Sequence, residues 1–221
     1  MRTVAILPVK SFGRAKQRLD AAIGQPDRGA LAAAMVSDVL ASLAAVAGLD
    51  AVVVVTAEPR AAAAARQAGA FVVDDPVESG QSDAAVRGVE AALARGAERV
   101  LLVPGDCPAL DPAEVGALLD GFADVGVVIV PDRHGPGTNA LRLTPPGVIE
   151  PSFGPGSLSR HAARAAAAGA RVRVAPAPSL ALDVDTPGDL AALRAALAAL
   201  PDAAPRTRAL LERLAPASAV A

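Results

Sequence analysis

The apolar positions of this chain fall in short unbroken runs: VAILPV (4–9), AVVVVT (51–56), AFVV (70–73), RVLLVPGD (99–106) and VGVVIVP (125–131). Between them the apolar spacing turns helical, near 28–46, 59–68, 82–96 and 111–122. A strand that is apolar on both faces has to be covered on both. A helix after each strand supplies that cover and the return crossing of a parallel sheet. After residue 131 the rhythm changes. NALRL (139–143) follows PDRHGPGT with no room for a crossover helix, so it is expected to pair antiparallel. A helix from about 157, a strand RVRVA (171–175), the segment LALDVDT, a helix from 187 and a last helix near 205–214 follow. The tail APASAVA, 215–221, is expected to be disordered. The pattern predicts an α/β protein: one domain over 1–221, three-layer α/β/α, with a mostly parallel mixed sheet and no internal repeat or linker.

Composition removes several function classes. A net charge of −2 with scattered basic residues argues against nucleic acid as a partner. So do four Phe without Tyr or Trp, which leave little to stack bases on. Cys107 is the one cysteine, so no intramolecular disulfide can form. No apolar run reaches the roughly 18 residues of a spanning helix, and TVAILPV is too short for a signal peptide. The expectation is a cytoplasmic protein without a membrane partner.

Ligands of open α/β sheets bind at the carboxyl ends of the strands. Three charged segments follow strands here: VKSFGRAKQRL with Lys10, Arg14, Lys16 and Arg18; PGDCPALDP with Asp106; and LDVDTPGDL with Asp183 and Asp185. Cations beside carboxylates on one rim suit a polyphosphate bound with a divalent metal. The basic loop lacks P-loop glycine spacing and could equally be a solvated connector. GDCP could be only a turn. Thr186, Pro187 and Asp189 read as a helix cap, a structural role. Asp183 and Asp185 lie two apart on an extended segment, so their charges share a face and call for a cation between them. Cys107 reads as a packing residue. His134 and His161 fit neither a triad nor a zinc site. Two glycine- and hydroxyl-rich stretches, HGPGTNALRL (134–143) and SFGPGSLSRH (152–161), remain to be explained.

PVKSFGRAKQRL, PGDCPALDP, GPGTNAL, FGPGSLSRH and LDVDTPGDL occur in this order over nearly the whole chain. Together they resemble the CofC/FbiD guanylyltransferases of coenzyme F420 biosynthesis. GTNAL with FGPGS is the specific pair; the aspartate motifs are shared with many nucleotidyltransferases. The resemblance implies a GT-A-like nucleotidyltransferase fold and transfer of GMP from GTP to phosphoenolpyruvate, 2-phospho-L-lactate or 3-phosphoglycerate. It implies two Mg²⁺ ions on Asp106, Asp183 and Asp185, with Lys16 also catalytic. Lys10, Lys16 and Arg18 would hold the triphosphate, and Thr138, Gly154 and Ser157 the acceptor acid. SGQSDAAVRG (79–88) stands where relatives carry a base-recognition segment reading like GLNAAL, and it places Asp83 at the base. A downstream deazaflavin-transferring enzyme would take the unstable product, and a homodimer is compatible. The alternatives are a molybdopterin- or sugar-phosphate-type nucleotidyltransferase, a glycosyltransferase on the same fold, or an inactive nucleotide-binding protein.

Overall fold

The computed structural model describes residues 1–14, 16–19 and 23–214; the tail expected at 215–221 lies outside the described residues, as does the side chain of Arg14. Among the described residues seven strands form one sheet in the order β3-β2-β1-β4-β6-β5-β7. They are β1 (Thr3–Val9), β2 (Ala51–Thr56), β3 (Phe71–Asp74), β4 (Arg99–Leu102), β5 (Val127–Pro131), β6 (Thr138–Leu143) and β7 (Val172–Val174). β1 to β4 are mutually parallel, and β7 runs parallel to β5. β6 is antiparallel to both β4 and β5, as the missing crossover helix predicted. The expected fourth strand is shortened, because Val103–Asp106 leave the sheet as a loop.

Period-two alternation divides the core into two layers. Ala5, Leu7 and Val9 of β1 face a cluster with α1 (Gln25–Ala44), α2 (Pro59–Gln67) and α4 (Pro112–Asp120). Val4 and Ile6 face the opposite cluster, covered by α3 (Gln81–Leu93) and α5 (Ser157–Ala167). A third cluster joins α1 to α7 (Pro187–Ala199) and α8 (Pro205–Arg213) and takes in Leu19 from the basic loop. The short α6 (Pro178–Ala181) leads into the Asp183–Asp185 segment.

Local chemistry explains the joints. Thr186 and Asp189 form the expected capping box at α7, with Pro187 in the first turn. Arg133 Nε meets Asp189 Oδ1 at 2.8 Å and ties the β5–β6 loop to that cap. Arg142, fully buried on β6, donates to the carbonyls of Leu118, Gly121, Phe122 and Val125 at 2.7–3.1 Å. It thereby satisfies acceptors that the end of α4 would leave orphaned. Among the described residues no helix is long and apolar enough to cross a membrane.

Candidate active site

A cleft of about 260 Å³ opens at the carboxyl ends of β1, β3 and β4. The segment after β1 enters it as two 3-10 turns, Phe12–Arg14 and Gln17–Leu19, with Lys16 between them in the left-handed region at φ 59°. That turn sends the Lys16 side chain inward. Its ammonium donates to a carboxylate oxygen of Asp106 and to Asp185 Oδ1, the latter at 3.0 Å. Burial alone would lower the lysine pKa, but the charges of Asp106 and Asp185 outweigh it and hold the group above the ordinary lysine range. Two loops far apart in sequence are thus joined through one cation. A backbone bond from Val184 N to Asp106 O, 3.2 Å, locks the same two loops together.

Val184 is buried in the third cluster, so the extended backbone turns Asp183 and Asp185 to the other side, as their spacing required. Asp185 is half-exposed and meets Lys16. Asp183 Oδ1 accepts from Asn139 Nδ2 at 3.1 Å, and the same amide donates to Leu180 O at 2.9 Å. Burial raises the pKa of Asp183; the Asn139 hydrogen bond opposes this, and the charges of Asp106 and Asp185 add to it. Those mutual effects place the three carboxylates in one electrostatic neighbourhood. Their hard oxygens and surplus negative charge suit Mg²⁺ in kind. In this conformation, however, no three acidic, His or Cys side chains among the described residues stand together as a metal cage, and the cation between Asp106 and Asp185 is Lys16.

The two glycine stretches meet. Leu158 N donates to Pro136 O at 3.3 Å, and Thr138 Oγ1 lies 3.1 Å from His161 Nδ1. Ser152 N–H donates to His161 Nε2 at 2.8 Å. That contact makes Nε2 the acceptor, so the ring proton sits on Nδ1 and points at Thr138 Oγ1. The Thr138 hydroxyl keeps its own proton to donate elsewhere. Burial first, then Arg160 and Arg164, push the His161 pKa down to about 4, so the imidazole is neutral at physiological pH. Gly154 and Gly156 adopt φ 103° and 70° immediately before α5, conformations a side chain would strain. Ser157 opens that helix, and its buried Oγ has no hydrogen-bond partner. Arg160 folds back onto the carbonyls of Ser152 and Phe153, each at 3.1 Å, and holds the loop.

The structure therefore brings Lys16, Asp106 and Asp185 into the cleft, with Asp183 two residues before Asp185 and held by Asn139. Lys10 lines the cleft from its exposed rim. Arg18 is exposed and is not part of the lining. Asp83 is exposed in the first turn of α3 and is not part of the cleft lining. The reason is helical phase. Gln81 and Ala84 occupy the inward face of that turn, and Asp75 and Glu78 before it supply the carboxylates at this end of the lining. Asn139 escaped the sequence reading although it stands inside the GTNAL motif. Its orientation depends on the irregular β5–β6 register near Pro131, which pairs Pro131 with Thr138 and leaves Asn139 as the extra residue. Cys107 is buried, donates to Leu180 O at 3.3 Å and has its thiol pKa pushed up by burial, which keeps it an inert packing group.

Residues 3–195 match the family model described as "Guanylyl transferase CofC like". The chain belongs to the CofC-like guanylyl transferase family. The relatives confirm the match along the full length. A phosphoenolpyruvate guanylyltransferase of Conexibacter woesei is 50% identical over 216 residues, 97% of each chain. Another enzyme of that name, from Sphaerobacter thermophilus, is 38% identical over 86% of this chain and 91% of its own. Solved structures bear out the fold. A cytidylyltransferase of Leptospira borgpetersenii superimposes with a TM-score of 0.61 over 97% of this chain and 94% of its own at 15% identity. CMP:2-keto-3-deoxy-manno-octonic acid synthetase complexed with CTP gives 0.60 over 90% and 100% at 20% identity. The α/β/α architecture with a mixed sheet is that of these nucleotidyltransferases.

Proposed function

We propose that this family member transfers GMP from GTP to phosphoenolpyruvate, giving enolpyruvyl-diphospho-guanosine and pyrophosphate for a deazaflavin coenzyme pathway. One observation carries the reading: Lys16, Asp106 and Asp185 meet in the cleft, and nearby Asp183 is held by Asn139, whose neighbour Thr138 contacts His161 of α5, the helix that opens on Gly154, Gly156 and the unpartnered Ser157 hydroxyl. The relatives named above carry phosphoenolpyruvate guanylyltransferase as their name.

The bond that forms joins an acceptor phosphate oxygen to the α-phosphorus of GTP; the bond that breaks releases the β- and γ-phosphates as pyrophosphate. A phosphate monoester has its second pKa near ~6 and is largely dianionic at neutral pH, so the nucleophile needs no general base. The neutral His161 leaves the Thr138 proton free to donate to the acceptor acid. The unpartnered Ser157 hydroxyl, at the positive end of α5, would donate to the same anion. Lys16 and Lys10 hold the triphosphate and offset the charge on the leaving pyrophosphate. Asp106, Asp183 and Asp185 would hold Mg²⁺, which supplies charge neutralisation between two anions when bound. Asn139, by donating to Asp183 Oδ1, would fix that carboxylate for the ion.

Pyrophosphate release with GTP and Mg²⁺ tests the reading, with phosphoenolpyruvate, 2-phospho-L-lactate and 3-phosphoglycerate as acceptors and ATP and CTP as controls. Release is expected with GTP and phosphoenolpyruvate. Asp106→Asn and Asp185→Asn should each lower it by ~100-fold or more while the variants remain folded at the assay temperature, in line with loss of a major electrostatic stabiliser. Near-wild-type turnover in both variants would sink the assignment of the aspartates, and release with 2-phospho-L-lactate alone would move the acceptor.

A further inference from the structure

The cleft has a second end that the phosphate chemistry leaves unused. In the sheet order β3-β2-β1-β4, the loop after β3 is three strand spacings from the loop after β4, about 14 Å. Lys16, Asp106 and Asp185 mark the β4 end. Asp75, Glu78, Gly80 and Gln81 mark the β3 end, with Val9 and Ala84 as apolar wall between. That span fits a nucleoside running from its phosphates to its base.

Asp75 is 5% exposed, and its Oδ1 has no hydrogen-bond partner. The facing cation is Arg87, whose Nε stands 3.4 Å away, likewise without a hydrogen bond. The Arg87 ion pair offsets the charge of Asp75, but Oδ1 still lacks a hydrogen bond, which a ligand would supply. Resting on the GTP reading above, we infer that Asp75 is the residue that selects guanine, its carboxylate accepting from N1–H and the 2-amino group. Guanine presents these two donors side by side, which matches the two oxygens of a carboxylate. Adenine and cytosine carry a ring-nitrogen acceptor at the equivalent edge and would meet the carboxylate lone pair to lone pair. Arg87 supplies the counter-charge that keeps the carboxylate in place.

The test is equilibrium binding of GTP, inosine triphosphate, xanthosine triphosphate and ATP, with Mg²⁺, to wild type and to Asp75→Asn. Wild type should bind GTP on the order of 10- to 100-fold more tightly than inosine triphosphate, which lacks the 2-amino donor to a charged acceptor. Xanthosine triphosphate, with an oxygen in that place, should bind more weakly still. Asp75→Asn should invert the order: its amide oxygen accepts from N1–H, and its amide N–H donates to the xanthine 2-oxygen. A gain for xanthosine triphosphate is something a merely structural ion pair with Arg87 would not produce. A variant that keeps GTP ahead of xanthosine triphosphate overturns the inference. So does a wild type that binds GTP and inosine triphosphate alike, an outcome that does not depend on the variant folding. Wild-type preference for GTP with failure of the Asp75 arms removes this inference alone; wild-type preference for a different base removes the GTP reading with it.

Discussion

Lys16 shows how a single side chain joins distant parts of the chain. Its basic loop was legible in sequence as a phosphate-binding candidate, but its ion pairs with Asp106 and Asp185 were not, because the partners lie 90 and 169 residues away. Its ammonium is the cation that joins Asp106 to Asp185. His161 is the residue whose chemistry changes most with pH. Its folded pKa of about 4 lies below the ordinary 6.5, so the unfolded chain binds the proton more readily. The stability it contributes is therefore fully present above pH 6.5 and is lost as pH falls toward and through 4. Protonation would also turn Nε2 from acceptor to donor against the Ser152 N–H. The melting temperature of wild type minus that of His161→Gln should shrink over this window; a constant difference would show that the imidazole does not titrate there.

At the scale of elements, the strands and most helices were legible because each carries its own signal, a short apolar run or a 3.6-residue period. Boundaries moved where the loops of the candidate site begin, as at Val103, where backbone leaves the sheet to place Asp106. α3 shows what the pattern alone does not reveal. Gly88 packs where β1 crosses beneath it, and an added Cβ would stand 2.3 Å from Ile6 Cγ2 and 3.2 Å from Val55 Cγ2. Ile6 is fully buried and has little room to withdraw. Gly88→Ala should cost about 1–3 kcal/mol despite the better helix propensity of alanine. The melting temperature should fall by roughly 2–4 °C per kcal/mol for a chain of this size. An unchanged or raised melting temperature would mean that α3 shifts freely over the sheet.

The whole molecule hangs the site between the sheet and a helical layer at its C-terminal side. α8 is fastened by Asp38 of α1, a buried carboxylate that accepts from Arg206 N at 3.2 Å and Thr207 N at 2.8 Å. It thus caps a helix nearly 170 residues away. Through the third cluster, α8, α7 and Leu19 of the basic loop share one apolar core. Asp38→Ala should orphan two N–H groups and cost about 1–3 kcal/mol. Amide hydrogen exchange should then rise first in α8; loss of protection spread evenly over the sheet would contradict this local role.

What the sequence determined by itself was local and periodic: the strand runs, the helix periods, the α7 cap, the antiparallel β6 and the family motifs. Each depends on residues within a few positions of one another, where backbone geometry and side-chain chemistry decide the outcome. Only the tertiary structure decided the strand order, the Lys16–Asp106–Asp185 contact, the aim of Asn139 at Asp183 and the presence of Asp75 in the cleft lining. These are meetings of segments distant in sequence. Which side chains face each other there follows from packing the layers and from helical phase, and neither is written in any short stretch of the chain.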